Sequence, residues 1–539
     1  MGQKYNQKCN NKLRCYKPKN CFSSNKAIIN PQINEQINPQ SKITEPSKDR
    51  RMLKFIKHLN ELKDDINSNI QYKIPIYYDD NYACLFSKCL PHDEKGYVDE
   101  TQMNLLLKAL EDKDIELLSK IQLGGKAKLI NPTASWNYYS VGDCLDSFKY
   151  PNIPKFSSLE MSYYMVELYG MYLCRDIKFS EYSKNTIVSK CCEYLNKFDK
   201  SVIGSEKTFL NIFRGNFDFD LKGHYLSQFL LQDMKIGGFI HEQKYKTYID
   251  GSDFLKTREY LISAQNGNVK ETMTTDRNKA RYLITLRDLA CYEHNDEPYQ
   301  AFTNAIGVLN KIGAPLNSDL VPISTQIPTE KFFVNFGAPN VYDTICQVGR
   351  IALSTIWCIK WKTLVARPEA FGLVIDNYFK YNENPCNLSE QLLTNDILTD
   401  IYNNNNNYLL PTSYLEGSPP HPSFASGHAV IAGACITAIK FFYNMDFKMD
   451  VYIPDVNGEN LFKTTDTTTI GEELNKLASN SGFGRNAAGI HYRMDAEFGI
   501  DLGQQVAISC LNDLVYTYPY DIKVNIKKFN GDIETIRNF

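Results

Sequence analysis

No segment of this chain runs for the about 18 uninterrupted apolar residues that a membrane-spanning helix needs. Ala429 to Met445 comes nearest but is interrupted by Lys440 and Asn444, and Ile351 to Val365 carries Lys360 and Lys362. An integral membrane protein is therefore disfavoured. An excess of one charge is lacking too. The 60 Lys and Arg face 62 Asp and Glu, a net charge of −2, which gives no global pull toward nucleic acid, and no nucleic-acid-binding motif is found. The 15 cysteines are odd in number and follow no regular framework. Cys191-Cys192 and Cys84-x4-Cys89 lack zinc spacing, and the polar N-terminus has no apolar signal-type stretch. These absences lead to the expectation of reduced thiols in a cytoplasmic protein. Strand-like alternation is rare, no Gly-rich βαβ fingerprint occurs, and no repeat with a period of about 20–50 residues is visible, which argues against a solenoid.

What is present is helical periodicity. Met52 to Leu62, Glu100 to Lys120 and Leu159 to Arg175 place apolar residues three and four apart, the signature of amphipathic helices, and an all-α fold is predicted. Val341 to Ala366 is apolar around most of its circumference and reads as a buried helix, ended at Arg367 by Pro368. Phe498 to Tyr516 reads as the last major helix. The polar runs Asn403 to Asn407 and Asn457 to Thr469 read as exposed loops. Residues 1–50 form a separate zone with ten basic and three acidic residues and few large apolar side chains, so a disordered basic tail is expected. Met1-Gly2 with Cys9, Cys15 and Cys21 would allow an acylated, membrane-associated N-terminus, against which Asn6 stands where the acylation motif has Ser or Thr. The remaining division is a helical half at 51–330, a motif core at 331–520 and an extension at 521–539.

The chemistry concentrates in three blocks. Pro420-His421-Pro422-Ser423-Phe424-Ala425-Ser426-Gly427-His428 is a proline-rich loop opening onto the apolar run Ala429 to Phe442. A helix N-terminus there presents unpaired N–H groups and the positive end of the dipole, so Ser426, Gly427 and His428 form an anion site with a titratable group beside it. Upstream stand Lys360 and Arg367-Pro368, and downstream Gly484-Arg485, His491 and Asp495. Three cations, a hydroxyl, backbone donors and two imidazoles suit a tetrahedral oxyanion.

In this order the blocks resemble the acid phosphatase and vanadium haloperoxidase superfamily, whose pattern is K-x6-RP, PSGH and SR-x5-H. Gly484 stands where the wider pattern has serine. The text His421-Pro-x3-Ser426-Gly-His428 is similar to the bromoperoxidase branch, as are residues 367–372, 484–492 and 90–97, Met165-Val-Glu-Leu-Tyr, Phe213-Arg-Gly-Asn-Phe and Arg287-Asp-Leu. Lys360 and Arg367 are seven positions apart, one fewer than in algal bromoperoxidases, and a helix across both would keep them on one face.

The resemblance implies one large helical body with two four-helix bundles and an oxyanion pocket at one end of the second. It implies vanadate as cofactor, bound by Lys360, Arg367, Ser426, Gly427, Arg485 and His491. His491 would be the axial ligand to the metal or, if phosphate is handled, a phosphohistidine nucleophile. Asp495 would orient His491 if the stretch is helical, and His428 would act as acid/base. Trp357, His421 and Asp296 would surround these groups, with His421 bearing on halide preference; Asp296 could equally cap a helix from Pro298 to Leu309. Hydrogen peroxide, a halide and an organic acceptor are the implied partners, in a homo-oligomer. The lipid phosphatases of the superfamily are integral membrane proteins, which this chain does not resemble in hydropathy. A soluble phosphomonoesterase and a catalytically weak structural homologue remain as alternatives, since ligand types alone do not separate phosphate from vanadate.

Overall fold

The computed structural model describes Met52, Phe55, Ile56, Asn60, Asp79 and residues 81–539 apart from 138, 140, 144–147, 149, 218–219, 270–276 and 327–328. The basic segment 1–50, with its acylation motif, and most of the helix read at Met52 to Leu62 lie outside the described residues.

Seven helices, numbered in chain order, position the site: α1 Leu159–Cys174, α2 Leu286–Asn295, α3 Ala338–Thr363, α4 Pro368–Tyr381, α5 Gly427–Phe442, α6 Ile470–Ala487 and α7 Arg493–Leu514. Helix α5 packs against α3, α6 and α7, and α7 also packs against α3 and α6, a bundle with α5 at its centre. Small residues make that centre possible. A Cβ on Gly433 would stand 2.0 Å from the Ile500 carbonyl oxygen, and one on Gly503 would stand 2.0 Å from that of Val430, so the α5 and α7 backbones approach closely because neither position has a side chain. From Ala429 to Phe442 only Ile431 is not fully buried; such a helix, apolar all round, belongs inside a core.

Four sequence-based boundaries are corrected. Helix α3 stops at Thr363, where Leu364 takes a left-handed φ of 54°; Pro368 therefore opens α4, with Arg367 as its N-cap, the position where a missing N–H costs nothing. Asn403 to Asn405 end a helix, Ile397–Asn405, with left-handed Asn406 as cap. Leu461–Thr469 is a strand, paired antiparallel with Lys448–Pro454, because β-branched threonines suit an extended ladder even when polar. Glu100 to Lys120 splits into Glu100–Glu111 and Ile115–Lys120, each capped by an aspartate.

Among the described residues the two halves share their cores: a small cluster joins Phe254, Leu255, Leu261 and Ala264 to Leu373 and Leu409. One apolar cluster runs from Cys84 to Ile536, and α1 is tied to α7 by a buried ion pair in which Arg493 Nε and Nη2 donate to the Glu167 carboxylate at 2.9 and 2.5 Å. Two small hairpins, Met234–Ile236 with Phe239–His241 and Lys523–Lys527 with Ile533–Arg537, complete the strands seen among the described residues. The second lies in the 521–539 extension and packs against α5 through the Lys440 ammonium, which donates to the Lys527 carbonyl at 3.1 Å.

Candidate oxyanion site

The site forms where the C-terminal end of α3, the N-termini of α4, α5 and α7 and the C-terminal end of α6 converge. Ser426 is the N-cap of α5, its hydroxyl accepting from the Ala429 N–H at 3.4 Å, and its own N–H donates to the Asp495 carbonyl at 3.0 Å. This bond ties the α5 start to α7. Lys360, in the last turn of α3, is fully buried and donates to the carbonyls of Pro422 and Ser423, both at 2.8 Å. No described carboxylate holds it directly, and burial followed by the Arg367 charge pushes its ammonium well below the ordinary lysine range. Lys360 and Arg367 do not share a helical face. The chain turns at Leu364 and runs extended to Arg367, so convergence comes from the turn.

Arg367 is the hub. Its Nε donates to the His421 carbonyl at 3.0 Å, Nη2 to His421 Nδ1 at 3.0 Å, and Nη1 to the Ile490 carbonyl and to His491 Nε2, each at 2.8 Å. A guanidinium has no acceptor, so His491 Nε2 must present a lone pair. Its other nitrogen, Nδ1–H, donates to Asp495 Oδ2 at 2.7 Å. The same oxygen accepts from the Ser423 hydroxyl at 2.6 Å and from the Tyr492 N–H at 3.1 Å. His491 is thus a neutral imidazole of defined tautomer. Burial, then Arg367 and Lys360, pushes its pKa well below the usual histidine value. Asp495 does not reach it along a helix: His491 precedes α7, Tyr492 is the N-cap, and Asp495 closes the first turn.

Arg485 donates through Nη1 to the Glu293 carbonyl at 2.7 Å and to the Tyr414 hydroxyl at 3.2 Å, with its guanidinium over the Tyr414 ring. Its Nε is buried and bonds to no described residue. Among the described residues, a buried, unsatisfied cationic donor and a lysine held only by carbonyls fit a bound oxyanion. His428, 31% exposed, places Nε2 3.1 Å from Asp296 Oδ1. Asp296 caps no helix from Pro298: the next helix is Gln300–Ile312, with left-handed Tyr299 as its N-cap. The Trp357 ring packs on that of His421 with centroids 4.6 Å apart.

The family model described as the VCPO second helical-bundle domain matches residues 402–517. The chain is 29% identical to the vanadium-dependent bromoperoxidase of Corallina officinalis, over 84% of this chain and 91% of that one. It is also 29% identical to the vanadium-dependent bromoperoxidase of Ascophyllum nodosum, over 84% and 86% respectively. The homohexameric structure of the second vanadate-dependent bromoperoxidase from Ascophyllum nodosum superposes with a TM-score of 0.80 at 23% identity, covering 94% of this chain and 95% of that chain. Over most of its length the chain is similar to vanadium-dependent bromoperoxidases. The all-α architecture agrees with that of the haloperoxidase neighbour.

The structure brings all eleven sequence-derived candidates to one region: Trp357, Lys360, Arg367, His421, Ser426, Gly427, His428, Arg485, His491 and Asp495, with Asp296 joining through His428. Sequence reasoning missed Ser423, Tyr414 and Glu293. Ser423 lies inside the quoted motif and could have been found as its second hydroxyl. Tyr414 and Glu293 reach the site across more than 70 residues of chain from Arg485, and no local pattern marks them.

Proposed function

We propose that the protein is a vanadate-dependent haloperoxidase that oxidises bromide or iodide with hydrogen peroxide to a hypohalous species. One observation carries this reading: the buried cations Lys360, Arg367 and Arg485 gather around the neutral imidazole of His491, whose Nε2 lone pair accepts from Arg367. The names of the bromoperoxidase relatives support it. Lys360, Arg367 and Arg485 would hold vanadate oxygens together with Ser426 and the Gly427 N–H, and His491 would ligate the metal. Bound vanadate supplies a Lewis-acid centre that activates peroxide toward halide without changing oxidation state. The chain's own work is to bind, orient and move protons. Asp495 and Ser423 hold His491 in one tautomer. Asp296 engages His428 Nε2, which leaves Nδ1 as the nitrogen able to take a proton from incoming peroxide. Burial, with Arg485 next, lowers the His428 pKa and Asp296 opposes that, so the base is neutral near pH 7. His421, held by Arg367 and packed against Trp357 with the rings tilted by 43°, would bear on halide choice.

Purified protein assayed for bromination or iodination of a phenol dye should require added orthovanadate. Halogenation that ignores vanadate, or none with it, would overturn the reading. Turnover of p-nitrophenyl phosphate by the apo-protein would favour phosphomonoester chemistry instead. We also infer a homo-oligomer, supported by the homohexameric relative; a monomeric mass by light scattering would remove that inference.

A further inference from the structure

Glu293 carries a second carboxylate to the base. It lies on α2, is 1% exposed, and its Oε2 stands 3.9 Å from His428 Nε2, the nitrogen that Asp296 Oδ1 approaches at 3.1 Å. Behind it is Gly484. A Cβ at 484 would stand 2.5 Å from Glu293 Cγ and 3.3 Å from Leu289 Cγ, closer than packed atoms tolerate. A serine there, as the wider superfamily pattern has, would force this carboxyl to move. Glycine at 484 and glutamate at 293 are therefore complementary. The groups facing Glu293 are His428 on α5, Arg485 and Ser481 on α6, and Asp296 just beyond its own helix. A carboxyl this buried, with no described cation in ion-pair contact closer than His428, is costlier to fold around than an apolar residue of the same volume, and such groups cluster at working sites.

We propose that Glu293 is a positioning residue for His428, admitted by the bare backbone of Gly484. Asp296 accepts from Nε2–H and the Glu293 carboxyl stands beside the same nitrogen at 3.9 Å, so that Nε2 keeps its proton and Nδ1 stays the basic nitrogen. This rests on the haloperoxidase reading for its kinetic consequence but not for its geometry.

The test is Glu293→Leu in the full chain, which fills the volume without a polar atom. The variant is expected to keep or raise the thermal midpoint and to bind orthovanadate within about twofold of wild type. Its kcat for bromide oxidation should fall about tenfold, below the 10²–10⁴ span for loss of a whole acid/base, with KM for peroxide little changed. ¹⁵N-histidine spectra, with the His428 signal assigned through His428→Gln, should show Nε2-protonated His428 in wild type and a tautomer mixture in Glu293→Leu. Wild-type turnover in the variant, or an unchanged His428 tautomer, overturns the proposal. A wild-type chain that does not halogenate sinks the haloperoxidase reading instead, and the tautomer spectrum still decides the positioning role.

Discussion

At the scale of single residues, the two motif histidines do different work although seven positions apart. His428 touches no described cation directly and is held by Asp296, whereas His421 is bonded twice by Arg367. His428→Ala should lower halide oxidation by about 10²–10⁴ while orthovanadate still binds; calorimetric titration beside steady-state kinetics checks both halves. His421→Ala should shift the ratio of bromide to iodide turnover and retain much of the rate. The buried imidazoles also tie stability to pH. His421 and His491 have folded pKa values well below the ordinary 6.5, from burial first and neighbouring cations next. Between those lowered values and 6.5 the unfolded chain binds protons that the folded chain refuses. Stability of the apo-protein should therefore rise with pH through this window and fall as pH drops toward 5, by up to about 1.4 kcal/mol per pH unit for each such histidine. Asp495, raised by burial above the ordinary 3.8, works in the opposite sense over its own range. Urea midpoints across pH 5–7 should be flatter in His421→Gln than in wild type; an equal slope would exclude His421 as a contributor.

At the scale of elements, the site depends on how closely helices approach. The α5 N-terminus meets α7 because Gly433 and Gly503 let the backbones touch and Gly499 accommodates Ala429, whose Cβ would lie 2.8 Å from an added one. Gly433→Ala should destabilise by at least the 1–3 kcal/mol typical of overpacking, and, by displacing α5, should weaken orthovanadate binding as well. A thermal scan with and without orthovanadate separates the two effects, since a ligand at about 100 times its Kd adds about 2.7 kcal/mol to a binding-competent fold. An unchanged midpoint in Gly433→Ala would mean that the helices slide apart at no cost.

At the scale of the molecule, the N-terminal half works as a buttress for the bundle. Glu167 on α1 is 1% exposed and pairs with Arg493, the first residue of α7 and two beyond His491. Glu167→Ala would leave that guanidinium buried with only Glu497 and a backbone carbonyl. The expected loss is about 3–5 kcal/mol, read as a lower urea midpoint, together with weaker vanadate affinity because α7 carries the cap that holds His491. Loss of stability without any change in affinity would show that the halves are coupled only mechanically.

The residue types and their order needed no coordinates: cations, a capping serine, a glycine and two imidazoles in three blocks declare an oxyanion site, and 3.6-residue periodicity declares helices, because both signals are local in the chain. The same locality explains the errors. A helix spanning Lys360 to Arg367 and another spanning His491 to Asp495 looked natural from spacing, yet Leu364 turns one and Tyr492 caps the other. Threonines at 464–469 looked like loop until Lys448–Pro454 offered a ladder. Only the tertiary structure could decide that Arg367 sets the tautomer of His491, or that Gly484 makes room for Glu293 beside His428. Those relations join residues 124 and about 190 positions apart, and a contact at that separation leaves no trace in the periodicity of either segment.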